Sequence, residues 1–381
     1  MFTRLLSPPE SSTFLFGPRG TGKSTWIGEH FAGSTIYDLL STSESLRLSK
    51  DPGMLFREVE SQSPGSWVVI DEVQKVPALL DEVHRLIETR GLRFILSGSS
   101  ARKLRRGGTN LLAGRALVSN LHPLVSAEMG YQRRIDASLD YGSLPVAVTG
   151  PDPEAYLRTY AETYLDQEIR AEALTRNVGA FARFLEVAAR QNGQVTNVSA
   201  IARDASVSRQ TVQGFFEILI DTLVGFWVRP WKLKQATKQV ASPKFYLFDS
   251  GVARALSQRL PYPSTDEESG ALLETLLFNE VRAYLDYQAL HYPLHYWRTY
   301  DGAEVDLLCE TRNGYVAVEM KASQRWERRH LRGLNRLRES LGDRVTCYGV
   351  YRGARSMSWG HTRVLPVLDF LRALWDGDIL P

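Results

Sequence analysis

Gly17, Gly22, Lys23 and Ser24 occupy the fixed positions of G-x-x-x-x-G-K-[ST] within FLFGPRGTGKST, residues 14–25. Residues of these types at this spacing hold a polyphosphate. Glycine backbone at 17, 20 and 22 can approach oxygens closely and take a positive φ. Lys23 sets a point charge between the outer phosphates, and the Ser24 hydroxyl completes a Mg²⁺ shell. The ligands so defined are ATP and Mg²⁺, with Gly17, Pro18, Arg19, Gly20, Thr21, Gly22, Lys23, Ser24 and Thr25 as the binding residues. Asp71 and Glu72 follow the apolar run Trp67, Val68, Val69, Ile70. In that setting Asp71 is the second Mg²⁺ residue, acting through the ion's water shell, and Glu72 orients and polarises the attacking water. Ser97 and Ser99, just past the apolar run at 93–96, either hold the water or γ-phosphate or simply form a turn.

A second set of chemical residues lies near the end of the chain. Asp306, Glu319 and Lys321 stand in EVDLLCE (304–310) and YVAVEMK (315–321), two strands joined by a turn containing Asn313-Gly314. Glu319 and Lys321 are two apart and share one face of their strand, where they can meet Asp306. Glu274 adds a third acid on the preceding helix. Asp-x(n)-Glu-x-Lys on a hairpin is the arrangement of metal-dependent nucleases. Asp306 and Glu319 bind Mg²⁺ beside the scissile phosphate, and the lysine handles the water and the developing charge. The plainer alternative is an edge hairpin with solvated charges.

The elements that must position these residues read as follows. The loop is fed by a buried strand at 14–16 and followed by a helix to about 31. Strands at 34–40, 67–70, 93–96 and 116–118 alternate with helices at 44–59 and 77–89, the pattern of a parallel α/β sheet whose strand ends face the crevice where ligands bind. Between them, residues 102–115 carry Arg102, Lys103, Arg105, Arg106 and Arg115. The first four read as a solvated loop or a nucleic-acid contact, whereas Arg115 directly precedes a strand and so has fixed geometry. From 141 the pattern turns helical (154–174 and 180–191). VSAIARDASVSRQTVQGFFEILID, 198–221, then gives two apolar-faced helices with a tight connection, a helix-turn-helix in which Arg209, Gln210 and Gln213 open the second helix toward bases or phosphates. Residues 225–248 alternate aromatic with basic side chains, including Trp227, Trp231, Lys232, Lys234, Lys238 and Lys244, and read as a β-wing. That winged module either packs or contacts DNA. After a linker at 261–270 come the helix at 271–286, the hairpin, and a helix at 324–341 in which Arg325, Arg329, Arg332 and Arg336 share one face and track phosphates.

Composition bounds these readings. A chain of 381 residues exceeds one compact core and fits two or three domains. Its 23% charged and 43% hydrophobic residues are those of a soluble globular protein, and no apolar run is long enough to span a bilayer. Two cysteines give neither a disulfide framework nor a metal cluster. With no secretory signal at the N-terminus, the expected location is the cytoplasm. A net charge of +3 neither demands nor excludes nucleic acid.

GPRGTGKS, IDEVQKVPALLDEV, FILSGSSARKLRRGGTNLLAGR, LHPLVSAEMG and YGSLPVAV together resemble the bacterial and archaeal AAA+ ATPases that carry a C-terminal PD-(D/E)xK, restriction-endonuclease-like domain of unknown function. The resemblance runs over nearly the whole chain, and DEVQKVP and LAGR are its most specific strings. It implies an α/β fold with four parts: an AAA+ core at 1–140, a helical lid at 141–192, a winged helix at 193–260 and a nuclease-like domain at 261–381. It also implies a homo-oligomeric ring, a hexamer, with Arg115 as the finger supplied to a neighbouring subunit. The expected function is Mg²⁺-dependent ATP hydrolysis coupled to DNA as motor, branch-migration or ATP-gated nuclease activity. The alternative is an ATP-dependent switch or scaffold with a non-catalytic C-terminal domain and a protein effector.

Overall fold

The computed structural model describes residues 2–100, 111–171, 178–232 and 242–380. Arg102 to Arg106, Lys234 and Lys238 lie outside the described residues. The chain forms two compact units, one of residues 3–123 with 220–224, the other of 1–2, 124–219 and 225–381.

Among the described residues the first unit is built on five parallel strands: β1 (Thr13–Phe16), β2 (Thr35–Asp38), β3 (Trp67–Asp71), β4 (Arg93–Gly98) and β5 (Leu117–Asn120). Their order is β2-β3-β4-β1-β5, which places β1 and β3, the two strands that carry the chemistry, on either side of β4. Phe14, Val68, Ile70, Phe94 and Leu96 are fully buried in the core that covers the sheet. β-branched and aromatic residues buried on both faces are what a helix-covered parallel sheet requires. The helix expected at 44–59 is two helices, Thr42–Lys50 and Gly53–Val59, because Asp51-Pro52 interrupts the pattern.

Among the described residues the second unit carries eight strands: β6 (Gly225–Pro230), β7 (Lys244–Leu247), β8 (Leu294–Arg298), β9 (Glu304–Thr311), β10 (Gly314–Lys321), β11 (Val345–Tyr351), β12 (Met357–Trp359) and β13 (Thr362–Pro366). They form one sheet in the order β12-β13-β11-β10-β9-β8-β6-β7. The β9–β10 hairpin pairs antiparallel with Gly314 opposite Thr311, and β10 continues parallel to β11. The two helices Val198–Asp204 and Arg209–Asp221 follow each other after a turn in which Ser206 has φ 55°. Phe184 and Phe216 pack edge to face at 4.9 Å beneath them.

Two expectations change here. β6 and β7 do pair antiparallel, yet they do not stand apart as a wing, since β6 runs parallel to β8 and joins the C-terminal sheet. Trp231 packs edge to face against Tyr315 at 5.4 Å on that sheet's core. The linker ends sooner than its composition suggests. The helix Asp266–Tyr287 begins inside it because Thr265 caps the Glu268 amide and three acids fill the first turn, complementing the helix dipole.

Candidate functional site

The phosphate loop lies at the carboxyl end of β1. Its shape follows from three glycines. Gly20 and Gly22 have φ of 77° and 93°, and a Cβ on Gly17 would stand 2.4 Å from the Leu121 carbonyl oxygen. The helix Lys23–His30 starts at the loop's end. Lys23 Nζ donates to the Gly17 carbonyl at 2.7 Å and the Pro18 carbonyl at 3.2 Å, and Thr21 Oγ1 donates to Pro18 at 2.9 Å. Arg4, which the motif does not reveal, braces the loop from outside it. Its guanidinium donates to the carbonyls of Thr21 and His122, each at 2.6 Å.

Asp71 ends β3 within reach of this loop: Ser24 Oγ donates to Asp71 Oδ2 at 3.0 Å, and Ser97 Oγ donates to Asp71 Oδ1. Glu72 turns away from the strand with φ 60°, its amide held by Ser97 Oγ at 3.3 Å. Burial pushes the Glu72 carboxyl above its ordinary range, against the pull of Lys23 and, less strongly, Arg19. Gln74, on the short turn Val73–Lys75, donates to Glu72 Oε2 and lies 3.4 Å from Ser99 Oγ. The residues fit Mg²⁺·ATP. Ser24 and Asp71 share one hydrogen bond and would hold the ion, and the positive φ of Gly20 and Gly22 shapes the loop that would hold the phosphates.

Arg115 lies elsewhere on this unit. β5 runs parallel to β1 with Leu117 opposite Thr13, so Arg115 stands beyond the amino-terminal end of the sheet while the phosphate loop stands at the carboxyl end. There it pairs with Glu88 through Nε.

The second unit gathers Glu274, Asp306, Glu319 and Lys321. Lys321 Nζ lies 2.6 Å from Glu319 and 3.6 Å from Asp306, whose Oδ2 accepts the Met320 amide at 2.7 Å. Lys244, one of the basic residues of the expected β-wing, is buried: it pairs with Glu304 at 2.8 Å and Glu274 at 3.4 Å. Tyr246 donates to Glu274 Oε2 at 2.5 Å. The alternation of Lys244 and Tyr246 along β7 was the available signal, because residues two apart share a face. Burial, only partly offset by Lys244, raises Glu274 to about 7. Burial and then Asp306 push Glu319 well up, and its Oε2 is buried without a hydrogen-bond partner. Burial opposes charge on Lys321, but Asp306 and Glu319 hold its ammonium well above the ordinary lysine range. Among the described residues no three His, Cys, Asp or Glu side chains converge to form a metal site. Asp306 and Glu319 could hold one ion between them, through the orphaned Glu319 oxygen.

The arginine stripe is split. Residues 328–331 form a 3₁₀ turn and the α-helix begins only at Arg332, because Trp326 and Leu331 bury together and bend the approach. Arg332 and Arg336 share the helix; Arg325 and Arg329 precede it, and all four are exposed. Arg329, Arg332 and Arg336 have carboxylate partners in Glu327, Asp301 and Glu339. Arg209, Gln210 and Gln213 are exposed at the start of their helix, where Ser208 caps the Thr211 amide at 3.1 Å.

With the loop, Asp71 and Glu72 assembled on a parallel sheet, residues 10–130 match the model of the AAA domain family. That stretch is similar to AAA domains. Beyond it, residues 132–262 and 269–370 match two domains of unknown function, DUF8612 and DUF4143. An uncharacterized protein of Mycobacterium tuberculosis is 27% identical over 318 residues, covering 81% of this chain and 69% of its own, and one of Mycobacterium bovis matches to the same extent. Among solved structures, the Aeropyrum pernix ORC1 protein in complex with DNA aligns over 66% of this chain and 87% of its own at 13% identity and a TM-score of 0.25. Protein VC1899 from Vibrio cholerae aligns over 96% of both chains at 12% identity and a TM-score of 0.23. Overlays of this quality define no common fold. Among the described residues no helix is long and apolar enough to cross a membrane.

Proposed function

We propose that this protein is a Mg²⁺-dependent ATPase that works as a homo-oligomeric ring on DNA. The observation that carries the reading is the joining of Ser24, Asp71 and Ser97 by hydrogen bonds beside Lys23 and Glu72, at the carboxyl end of a parallel sheet. ATP is held by the loop amides and Lys23, and Ser24 and Asp71 hold Mg²⁺, which neutralises phosphate charge when bound. Glu72 accepts a hydrogen bond from the attacking water, with its Oε2 held by the Gln74 amide. Arg115 stands at the wrong end of the sheet for its own loop, which supports its acting on a neighbouring subunit.

DNA contact is assigned to Arg209, Gln210 and Gln213 and to the exposed Arg325, Arg329, Arg332 and Arg336. Glu274, Asp306, Glu319 and Lys321 form the nuclease-like site. Their strands, with β9 and β10 antiparallel and β10 and β11 parallel, support a PD-(D/E)xK-like arrangement. A second reading, an ATP-driven switch with a structural C-terminal cluster, is favoured by one observation: Lys244 and Lys321 already pair with the site's three carboxylates, Glu274, Asp306 and Glu319, and with Glu304.

The test is ATP turnover with Mg²⁺, alone and with single-stranded, duplex and branched DNA, alongside DNA binding against salt. We expect stimulation by DNA and an affinity that falls steeply with salt. Replacing Arg332 and Arg336 by Ala should make the log-log slope shallower by about two, at about 0.9 per phosphate. ATP turnover indifferent to DNA, with no salt-sensitive binding, selects the switch.

A further inference from the structure

Gln74 belongs to neither the loop nor the acidic pair, yet its side chain is placed between Glu72 and the tip of β4. It is buried, its amide nitrogen donates to Glu72 Oε2, and the same nitrogen is 3.4 Å from Ser99 Oγ, itself buried. Two features show that the backbone is shaped to admit it. Val73–Lys75 forms a 3₁₀ turn directly after Glu72, which brings Gln74 back toward the strand ends. Gly98, which ends β4, has no side chain there: a Cβ would stand 2.5 Å from Gln74 Oε1. Oε1 is buried without a hydrogen-bond partner, so the amide is not held by its own oxygen. Burying an amide with half its capacity unmet is costly. What its placement secures is the donor on Glu72.

We propose that Gln74 is the positioning residue for Glu72: through the gap left by Gly98 it fixes one carboxylate oxygen and leaves the other for the attacking water, tying the carboxylate to Ser99 at the end of β4. This rests on the ATPase reading above. Gln74 touches neither the loop nor Asp71 in the contacts that place it, so it acts on turnover and not on nucleotide binding.

The experiment uses the full-length protein with Mg²⁺·ATP. In Gln74→Met, which keeps length and loses the donor, kcat should fall about tenfold or more while KM and the affinity for a fluorescent ATP analogue stay within about twofold. Gly98→Ala should lower kcat in the same way, by pushing the amide off Glu72. In a Gln74→Ala background Gly98→Ala should change nothing further, because the two substitutions remove one interaction. Unchanged kcat in Gln74→Met overturns the proposal, as does an additive Gly98→Ala and Gln74→Ala pair, which would mark general damage. A variant that misfolds is recognised by lost analogue binding, and the Gly98→Ala cycle then decides. If the wild-type protein binds the analogue but turns over no ATP, the ATPase reading itself fails and the proposal with it.

Discussion

At Glu72 the backbone is committed to the site. A non-glycine residue at φ 60° costs on the order of 1–3 kcal/mol and persists only where its surroundings hold it, here through Ser97 on the amide and Gln74 on the carboxylate. The division of labour with Lys23 is testable. Lys23→Ala removes the charge seated on the loop and should abolish nucleotide binding in a fluorescent-analogue titration. Glu72→Gln keeps size and binding but should slow phosphate release at least a hundredfold, about 2.7 kcal/mol. A Glu72→Gln protein that turns over normally would remove Glu72 from the mechanism. Glu280, in the second unit, gives a different kind of prediction. Its carboxyl accepts from the Ser126 amide at 2.7 Å and from Trp375 Nε1 at 2.8 Å, and burial raises it from 4.5 to about 7. Between those two values the folded state holds a proton that the unfolded state has released. The contribution to stability is therefore present below about pH 4.5 and is lost as pH rises through about 7. Asp249, raised by burial to about 6, acts in the same direction. The thermal stability of the second unit should thus fall from pH 5 to 7.5, by up to a few kcal/mol in all, and Glu280→Gln should make that slope shallower.

Among the elements, β7 couples what composition appears to separate. It pairs with β6 and sends Lys244 and Tyr246 onto Glu274, and Tyr246 also packs on Phe278 with ring centroids 4.7 Å apart. A fragment starting at residue 261 loses those partners and leaves Glu274 and Phe278 uncovered. It should be unfolded or aggregated by circular dichroism and gel filtration, while a fragment from 124 to 381 should fold. Equal folding of both would show that β6 and β7 are dispensable. How far the sequence disclosed this arrangement depends on the range of the interactions. The strand before the loop, the apolar strand ending in Asp71 and the β9–β10 hairpin were legible, because each is local: a buried run, a glycine turn, an alternation of two. Glu319, Lys321 and Asp306 also meet as their alternation required. The alternation of Lys244 with Tyr246 shows a shared face but not that Lys244 is buried, since burying an ammonium depends on Glu274 and Glu304, which are distant in sequence. Gln74 was not legible, because its value lies in the missing side chain of Gly98. The arginine helix is shorter than its charge period implies, because that period continues through Trp326, whose burial breaks the backbone period.

For the whole molecule, the question is whether one chain suffices for hydrolysis. Arg115 lies at the amino-terminal end of the sheet beside Glu88, and β5, the strand it precedes, is an edge strand on which Leu117 and Val118 are 62% and 54% exposed. Among the described residues the outer edge of β5 pairs with no strand, and such an edge with apolar side chains associates unless it is covered. The reading that Arg115 serves a neighbour predicts complementation. A Lys23→Ala chain has the arginine without a working loop, and an Arg115→Ala chain has the loop without the arginine. Each alone should hydrolyse ATP at under about 1% of the wild-type rate, given a finger worth about 10³ or more. Mixed, they form interfaces at which an intact loop meets an intact Arg115, so activity should reappear and pass through a maximum near equal proportions. Wild-type specific activity should likewise rise with protein concentration as subunits associate. Turnover that is independent of concentration, in a species shown to be monomeric by light scattering, would mean that Arg115 is not required in trans; Arg115→Ala should then be restored by no partner, and its pairing with Glu88 would be its whole role.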